Sequence, residues 1–335
     1  MEATMTDAQE FKEKVADVHR GYEELKHEIA KVVIGQEKVI DLMIISMFTS
    51  SHSLLMGVPG LAKTLLVHTL ADATSLDFNR VQFTPDMMPS DLIGTEILQE
   101  DRTTGQRAFK FIQGPVFTNM LLADEINRTT PKTQAALLQS MQERQVSVSG
   151  MTHKLEPPFL VFATQNPIEQ EGTYPLPEAQ LDRFMFRIDV NYPEHDQEMQ
   201  MVMNTTSRDQ AVINPTYTRE RLLEHQQLVR QIPVSETVVN YAVSLVRSTR
   251  PGAEDADAFT RENVRWGAGP RASQSLIIAG KARALLDGRY AVEKEDIDFL
   301  ALPILTHRIM PTFQAEAEGM TSPDIIRHCR ENIRI

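Results

Sequence analysis

Between residues 7 and 33 apolar side chains recur at spacings of three and four, at Phe11, Val15, Val18, Tyr22, Leu25, Ile29 and Val32. That period predicts an amphipathic helix, packed on its own domain or against a neighbouring subunit. From 53 to about 191 the pattern changes to short apolar runs bounded by turn residues: SLLMG (53–57), FNRVQF (78–83), MLLAD (120–124), FLVFAT (159–164) and FRIDV (186–190). Helical patterns lie between them, notably 63–73 and 132–142. Such runs suit parallel strands buried on both faces, so the segment predicts an α/β fold with a parallel five-stranded sheet and helices on both sides. The stretches 97–117 and 143–158 do not fit a minimal α/β unit and predict projecting hairpins or inserts. Beyond NYPEHD (191–196), helical patterns at 194–204, 218–231, 235–248, 272–286 and 293–309 predict a smaller all-helical domain. Its boundary is expected near 192–215, where Pro193 and Pro215 flank a polar stretch. The expected division is an N-terminal helix at 1–33, an α/β core at 34–200 and a helical domain at 215–335.

Composition changes this picture in a few places. The chain has 335 residues, 41% of them apolar, enough for two packed domains. Its formal charge of −12 disfavours unspecific attraction to phosphate backbones without excluding a local basic groove. The single cysteine, Cys329, rules out an internal disulfide framework and fits a reducing compartment. MEATMTDAQEFKEKV does not resemble a signal peptide, and no apolar run approaches the roughly 18 residues that span a bilayer. A soluble, cytoplasmic protein is expected. The nine histidines show no metal-binding spacing, and the acidic stretch at 253–257 reads as a solvated loop.

The chemistry begins at GVPGLAKT (57–64), which sits between an apolar strand and a helix. A phosphate-binding loop needs backbone N–H groups aimed inward and a helix N-terminus behind them. It also needs a lysine for the β/γ-phosphates and a hydroxyl for Mg²⁺. Gly57, Val58, Pro59, Gly60, Leu61 and Ala62, with Lys63, Thr64 and Leu65, supply this cradle. The strict motif asks for glycine where Ala62 stands. Ala62 is expected in the first turn of the helix at negative φ, where a methyl costs little. MLLADEINR then supplies Asp124 for Mg²⁺ and Glu125 as general base toward the attacking water. Asn166, just past FLVFAT, is placed to orient that water, although an Asn-Pro after a strand is by itself only a turn. Arg183 in LPEAQLDRF and Arg271 in GPRAS are candidates to meet the γ-phosphate, Arg183 from a neighbouring subunit and Arg271 from the helical domain.

GVPGLAKT, ADEINR, ATQNP, LPEAQLDRF and GPRAS, in this order, resemble the MoxR family of AAA+ ATPases over about residues 30 to 310. The resemblance implies ATP and Mg²⁺ as cofactors. It makes Lys63 and Thr64 Walker A, Asp124 and Glu125 Walker B, Asn166 sensor 1 and Arg271 sensor 2. Arg183 becomes the arginine finger, with Arg187 and Arg128 as nearby alternatives. Alanine at position 62 is then a family feature. VVIGQEKV (32–39) would place Ile34 and Gly35 near the adenine, and the two inserts match the helix-2 insert and the pre-sensor-1 hairpin. Relatives of this type form hexameric rings and act as chaperone-like remodelers, often with a von Willebrand factor A domain partner. ATP is expected at the junction of core and lid. Three rival readings stand beside this one: a nucleic-acid remodeler, an ATP-gated binding module and a metal-insertion motor of magnesium-chelatase type.

Overall fold

The structure is a computed structural model and describes residues 2–100, 107–169, 172–206, 211–254 and 256–333. The centre of the expected 97–117 insert, part of the 192–215 boundary and Asp255 of the acidic stretch lie outside the described residues. Fourteen α-helices are described: α1 (Glu2–Ala30), α2 (Glu37–Phe48), α3 (Lys63–Asp72), α4 (Pro89–Ile93), α5 (Pro131–Glu143), α6 (Glu178–Leu181), α7 (His195–Thr205), α8 (Arg219–Gln231), α9 (Glu236–Ser248), α10 (Ala258–Asn263), α11 (Pro270–Leu286), α12 (Lys294–Leu305), α13 (Phe313–Ala317) and α14 (Ser322–Glu331). The strands are β1 (Ser53–Met56), β2 (Phe78–Gln82), β3 (Gly94–Glu100), β4 (Arg107–Gln113), β5 (Met120–Asp124), β6 (Gln145–Val148), β7 (Met151–Lys154), β8 (Leu160–Gln165), β9 (Phe186–Asp189), β10 (Val264–Trp266) and β11 (Met310–Pro311).

Five strands form one parallel sheet in the order β2-β5-β8-β1-β9. The central strands are apolar on both faces because the sheet divides two cores. Leu55, Leu122 and Phe162 face one core, while their neighbours Leu54, Leu121 and Val161 face the other. The edge strand β2 differs, since Asn79, Arg80 and Gln82 are exposed there. Its FNRVQF run is therefore half-solvated rather than buried. Both expected inserts are antiparallel hairpins, β3–β4 and β6–β7.

The first helix docks within its own chain. Val15, Val18 and Leu25 are fully buried, Asp17 accepts from Arg221 of α8 at 3.2 Å, and His19 Nδ1 lies 2.7 Å from the Leu286 carbonyl of α11. The helical domain packs along the β9 edge through α12 and against α2 through α8 and α11. Beyond α12, Arg308 is buried and donates to Asp182 Oδ1 at 2.7 Å and to the carbonyl oxygens of Phe184 and Met185. That clamp fastens the helical domain to the segment before β9. Helices α2, α4, α6, α10, α13 and α14 were not among the sequence expectations. Helix α2 is apolar on nearly every side, so it shows no amphipathic period, and the other five are at most ten residues long.

His52 ties the start of the sheet together. Its Nδ1 accepts from the Val161 N–H at 3.0 Å, so the proton sits on Nε2, which faces the Met141 carbonyl at 3.2 Å. Burial holds the ring neutral and brings its pKa down to about 4. The unfolded chain therefore binds a proton here that the folded chain refuses as pH falls from the ordinary 6.5 toward 4. Stability should drop across that window by on the order of 3 kcal/mol from this residue. Buried His307 and His225 are displaced in the same direction. Urea unfolding midpoints measured at pH 7 and pH 5 should show about 2 kcal/mol of this loss, and His52→Gln should shrink it.

Candidate functional site

The loop leaves β1 at its C-terminal end. Gly57 is required there because a Cβ would lie 2.8 Å from the Val190 carbonyl oxygen at the end of β9. Gly60 turns at φ +86° into open space. Ala62 corrects the sequence expectation. Its φ is +54°, the left-handed region, so it precedes the helix instead of lying in the first turn. A methyl there costs about 1–2 kcal/mol, which explains why the strict motif has glycine. The chain holds the phosphate-loop geometry in spite of that strain.

Helix α3 starts at Lys63 with no side-chain cap and no acidic residue in its first turn. Its leading N–H groups and positive dipole end therefore face the loop's concavity, a ready anion site. The Lys63 ammonium donates to the carbonyl oxygens of Gly57 and Val58 at 2.6 and 2.8 Å. Its partial burial lowers its pKa, opposed by the charges of Asp124 and Glu125. A phosphate would offer a charge-assisted partner in place of two neutral carbonyls.

Two residues that the sequence reading missed organise the acids from β2. Arg80 donates to Asp124 Oδ2 at 2.7 and 3.2 Å, and Gln82 Nε2 donates to Glu125 Oε2 at 2.8 Å. Arg80 and Gln82 are two residues apart, so they share a strand face, and Gln82 is paired in register with Asp124. Polar residues alternating inside an otherwise apolar run were the available signal. Thr164 of β8 is a third. Its hydroxyl donates to Asp124 Oδ1 at 2.6 Å and accepts from the Glu125 N–H at 2.8 Å. Glu125 itself has φ +57°, a sparsely populated conformation of the kind that collects at active sites. Asn166 is buried just beyond β8, its Oδ1 accepting from the Ile168 N–H at 3.1 Å. Segment 34–36 is tethered beside the loop, since Gln36 donates to the Asn191 carbonyl at 3.0 Å, next to Val190. A cavity of about 340 Å³ there is lined by Gly35, Gln36, Asp189 and Tyr192.

The loop, Asp124, Glu125 and Asn166 thus gather at the C-terminal edge of the sheet. The arginines divide. Arg128 lies at this edge, bound to Glu125 at 3.0 Å and 3.5 Å from Glu169. Arg187 is within β9 and pairs with Asp189 at 3.0 Å. Arg183 precedes β9 and stands at the opposite edge, donating to the Leu138 carbonyl at 2.7 Å. Arg271, in the first turn of α11 behind Pro270, is there too, 3.3 Å from Asp182. The expectation that Arg271 reaches the γ-phosphate from its own lid is therefore corrected. The Arg308–Asp182 clamp fixes the helical domain where the N-terminus of α11 faces away from its own loop.

The residues present fit ATP and Mg²⁺. Among the described residues no group of three or more His, Cys, Asp or Glu is arranged to hold a metal. Thr64 and Asp124 would then contribute to a site in which phosphates supply further ligands, the usual pattern for Mg²⁺.

A parallel α/β core with this loop and acid pair, joined to a helical domain, defines an AAA+ ATPase fold. Residues 52–186 match the ATPase family associated with various cellular activities (AAA), and 256–329 match the AAA lid domain. Chaperone MoxR1 of Mycobacterium tuberculosis is 41% identical over 313 residues, covering 93% of this chain and 81% of that protein. The uncharacterised YeaC of Bacillus subtilis is 37% identical over 320 residues, covering 95% and 96%. A crystal structure from Cytophaga hutchinsonii superposes with a TM-score of 0.89 at 41% identity, covering 99% of each chain. The chain belongs to the MoxR family of AAA+ ATPases.

Two substitutions test this geometry. Thr164→Val keeps the shape but strands a buried carboxylate oxygen and a backbone N–H, at a cost of about 1–3 kcal/mol. Thermal denaturation should register it, and Thr164→Ser should restore most of the loss. Ala62→Gly removes the left-handed penalty and should stabilise the protein by up to about 1 kcal/mol, with ATP binding retained in a titration.

Proposed function

We propose that this chain is an ATP-hydrolysing remodeler that works as a ring, in which Arg183 and Arg271 of one copy complete the nucleotide site of the next. The separation of the site into two edges carries this reading. Four residues of β1 hold the edges about 13 Å apart, so a single chain offers loop and acids without the arginines. Arg183 is favoured as finger because it stands at the edge opposite its own loop, whereas Arg128 meets Glu125 of its own chain and Arg187 pairs with Asp189 within β9.

In this mechanism Lys63 exchanges its two loop carbonyls for the β/γ-phosphates, with the adenine against Ile34 and Gly35. Thr64 and Asp124 would hold Mg²⁺, for which Arg80 would give up Asp124. The ion would supply positive charge against the charge that develops on the phosphates. Glu125 takes the proton of the attacking water once Gln82 and Arg128 release its carboxylate, and Asn166 orients that water. The arginines of the neighbouring copy stabilise the transition-state charge.

The β3–β4 hairpin exposes Ile97, Leu98, Phe109 and Ile112. An apolar projection suits a protein client better than a phosphate backbone. His153, one of two basic or potentially basic residues near the other hairpin's tip, stacks on Phe111 with ring centroids 3.9 Å apart. Those contacts and the net charge of −12 weigh against the nucleic-acid reading. A hexameric state, a von Willebrand factor A domain partner, a cytoplasmic location and the maturation of a client enter from the family resemblance. Among the described residues no helix is long and apolar enough to cross a membrane.

The test is the ATPase rate per chain against protein concentration. Wild type should speed up as it assembles. Arg183→Ala should bind ATP and lose roughly 10³-fold or more in rate. Glu125→Gln should bind ATP and assemble but lose roughly 10²–10⁴-fold. A fully active monomer, unaffected by Arg183→Ala, would overturn the shared site.

A further inference from the structure

The helical domain carries an apolar groove on the face made by α8, α9 and α11. A cavity of about 420 Å³ there is lined by Val239 and Val243 of α9, Ile277, Ile278 and Lys281 of α11, and Arg230 of α8. Helix α9 buries Tyr241, Ala242, Leu245 and Val246. Val239 and Val243, four residues apart, form a second apolar stripe beside that one, and Val239 is 36% exposed. Helix α11 repeats the arrangement. Leu276 and Ala279 are fully buried, while Ile277 and Ile278 between them are only partly covered. A helix with apolar side chains beyond its buried face has surface left for a second packing partner. Four aliphatic side chains from two helices meet in this groove, and their remaining area stays in water.

The rim indicates what covers it. Lys281 donates to the Arg230 carbonyl oxygen at 3.3 Å, so the two cations of the groove are neighbours. Elsewhere in this domain arginines are engaged by carboxylates. Arg283 and Arg289 meet Asp296, and Arg308 meets Asp182. Among the described residues neither Arg230 nor Lys281 is paired with a carboxylate. Glu236, in the first turn of α9, does not line the groove. Carboxylates outnumber cations 46 to 34 in this chain, so two adjacent cations without one stand out. A nucleic acid would find four aliphatic side chains where its phosphates and bases need donors. A protein segment with an apolar face and acidic residues complements both parts of the groove.

We infer that this groove receives an acidic amphipathic helix of a partner protein, apolar at spacings of three and four, with carboxylates that meet Arg230 and Lys281. Burial of the aliphatic side chains supplies the affinity. The cations set the direction of the helix and the choice of partner. The inference goes beyond the shared nucleotide site and does not depend on it, since none of the groove's residues belongs to that site.

The test titrates the full chain into two synthetic fluorescein-labelled helical peptides and follows anisotropy. Both carry Leu at positions i, i+3, i+4 and i+7, and they differ only in having Glu or Lys on the polar face. The acidic peptide should bind roughly tenfold or more tighter than the basic one, and raised salt should narrow the gap. In a chain of charge −12, unspecific attraction favours the basic peptide, so the expected order runs against it. The double variant Arg230→Glu with Lys281→Glu should reverse the preference, with its thermal midpoint unchanged. Val239→Ser should weaken the acidic peptide and leave its preference over the basic one in place. Equal binding of the two peptides by wild type, or a preference that the double variant retains, would overturn the inference. So would the absence of binding by either peptide. A sedimentation coefficient that shifts in the double variant would then assign the groove to a second copy of the chain.

Discussion

All five strands of the sheet point the same way, and the rest of the molecule depends on that constraint. Parallel strands send every C-terminal end to one edge. The loop after β1, the acids after β5 and Asn166 after β8 therefore meet without being near in sequence. The same rule sends whatever precedes a strand to the far edge. Arg183 precedes β9, so no rotamer returns it to its own loop. Where ligands bind in an open α/β sheet follows from the same geometry.

Within the site, opposite charges are held apart from their eventual work. Asp124 is engaged by Arg80 and Thr164, Glu125 by Gln82 and Arg128, and Lys63 by two carbonyls. Each of these groups is satisfied by protein. Buried polar groups are costly when left without partners, so this set of pairings keeps the site folded in the absence of phosphate. Arg80 and Gln82 sit on an edge strand, where polar side chains cost little because one side of the strand meets solvent.

The lid is fixed by electrostatics as much as by apolar packing. Arg308 is buried and binds Asp182 together with backbone carbonyls of the segment before β9. Asp182 thereby ties the end of α12, through Arg308, and the start of α11, through Arg271, to the segment before β9. A buried guanidinium with its donors met is stable, whereas removing its carboxylate would leave a charge uncompensated.

Much of this was legible in the sequence. Short apolar runs bounded by turn residues gave the five strands, and period-3.6 patterns gave most of the longer helices, because apolar burial leaves a one-dimensional trace. The gathering of the loop, Asp124, Glu125 and Asn166 at one edge was legible because each motif is contiguous and follows a strand, whereas the edge on which Arg183 and Arg271 stand was not. The φ of Ala62 was not, since it depends on where the loop stops and the helix starts. Arg80, Gln82, Thr164 and Asp182 were not legible either. Their roles are set by side chains from strands and helices that meet only when the sheet assembles, and nothing in their own neighbourhoods names the partner. The sequence by itself determined which motifs the chain carries and in what order. The tertiary structure decided which of them share an edge, because strand direction and the seating of the lid are properties of the assembled fold.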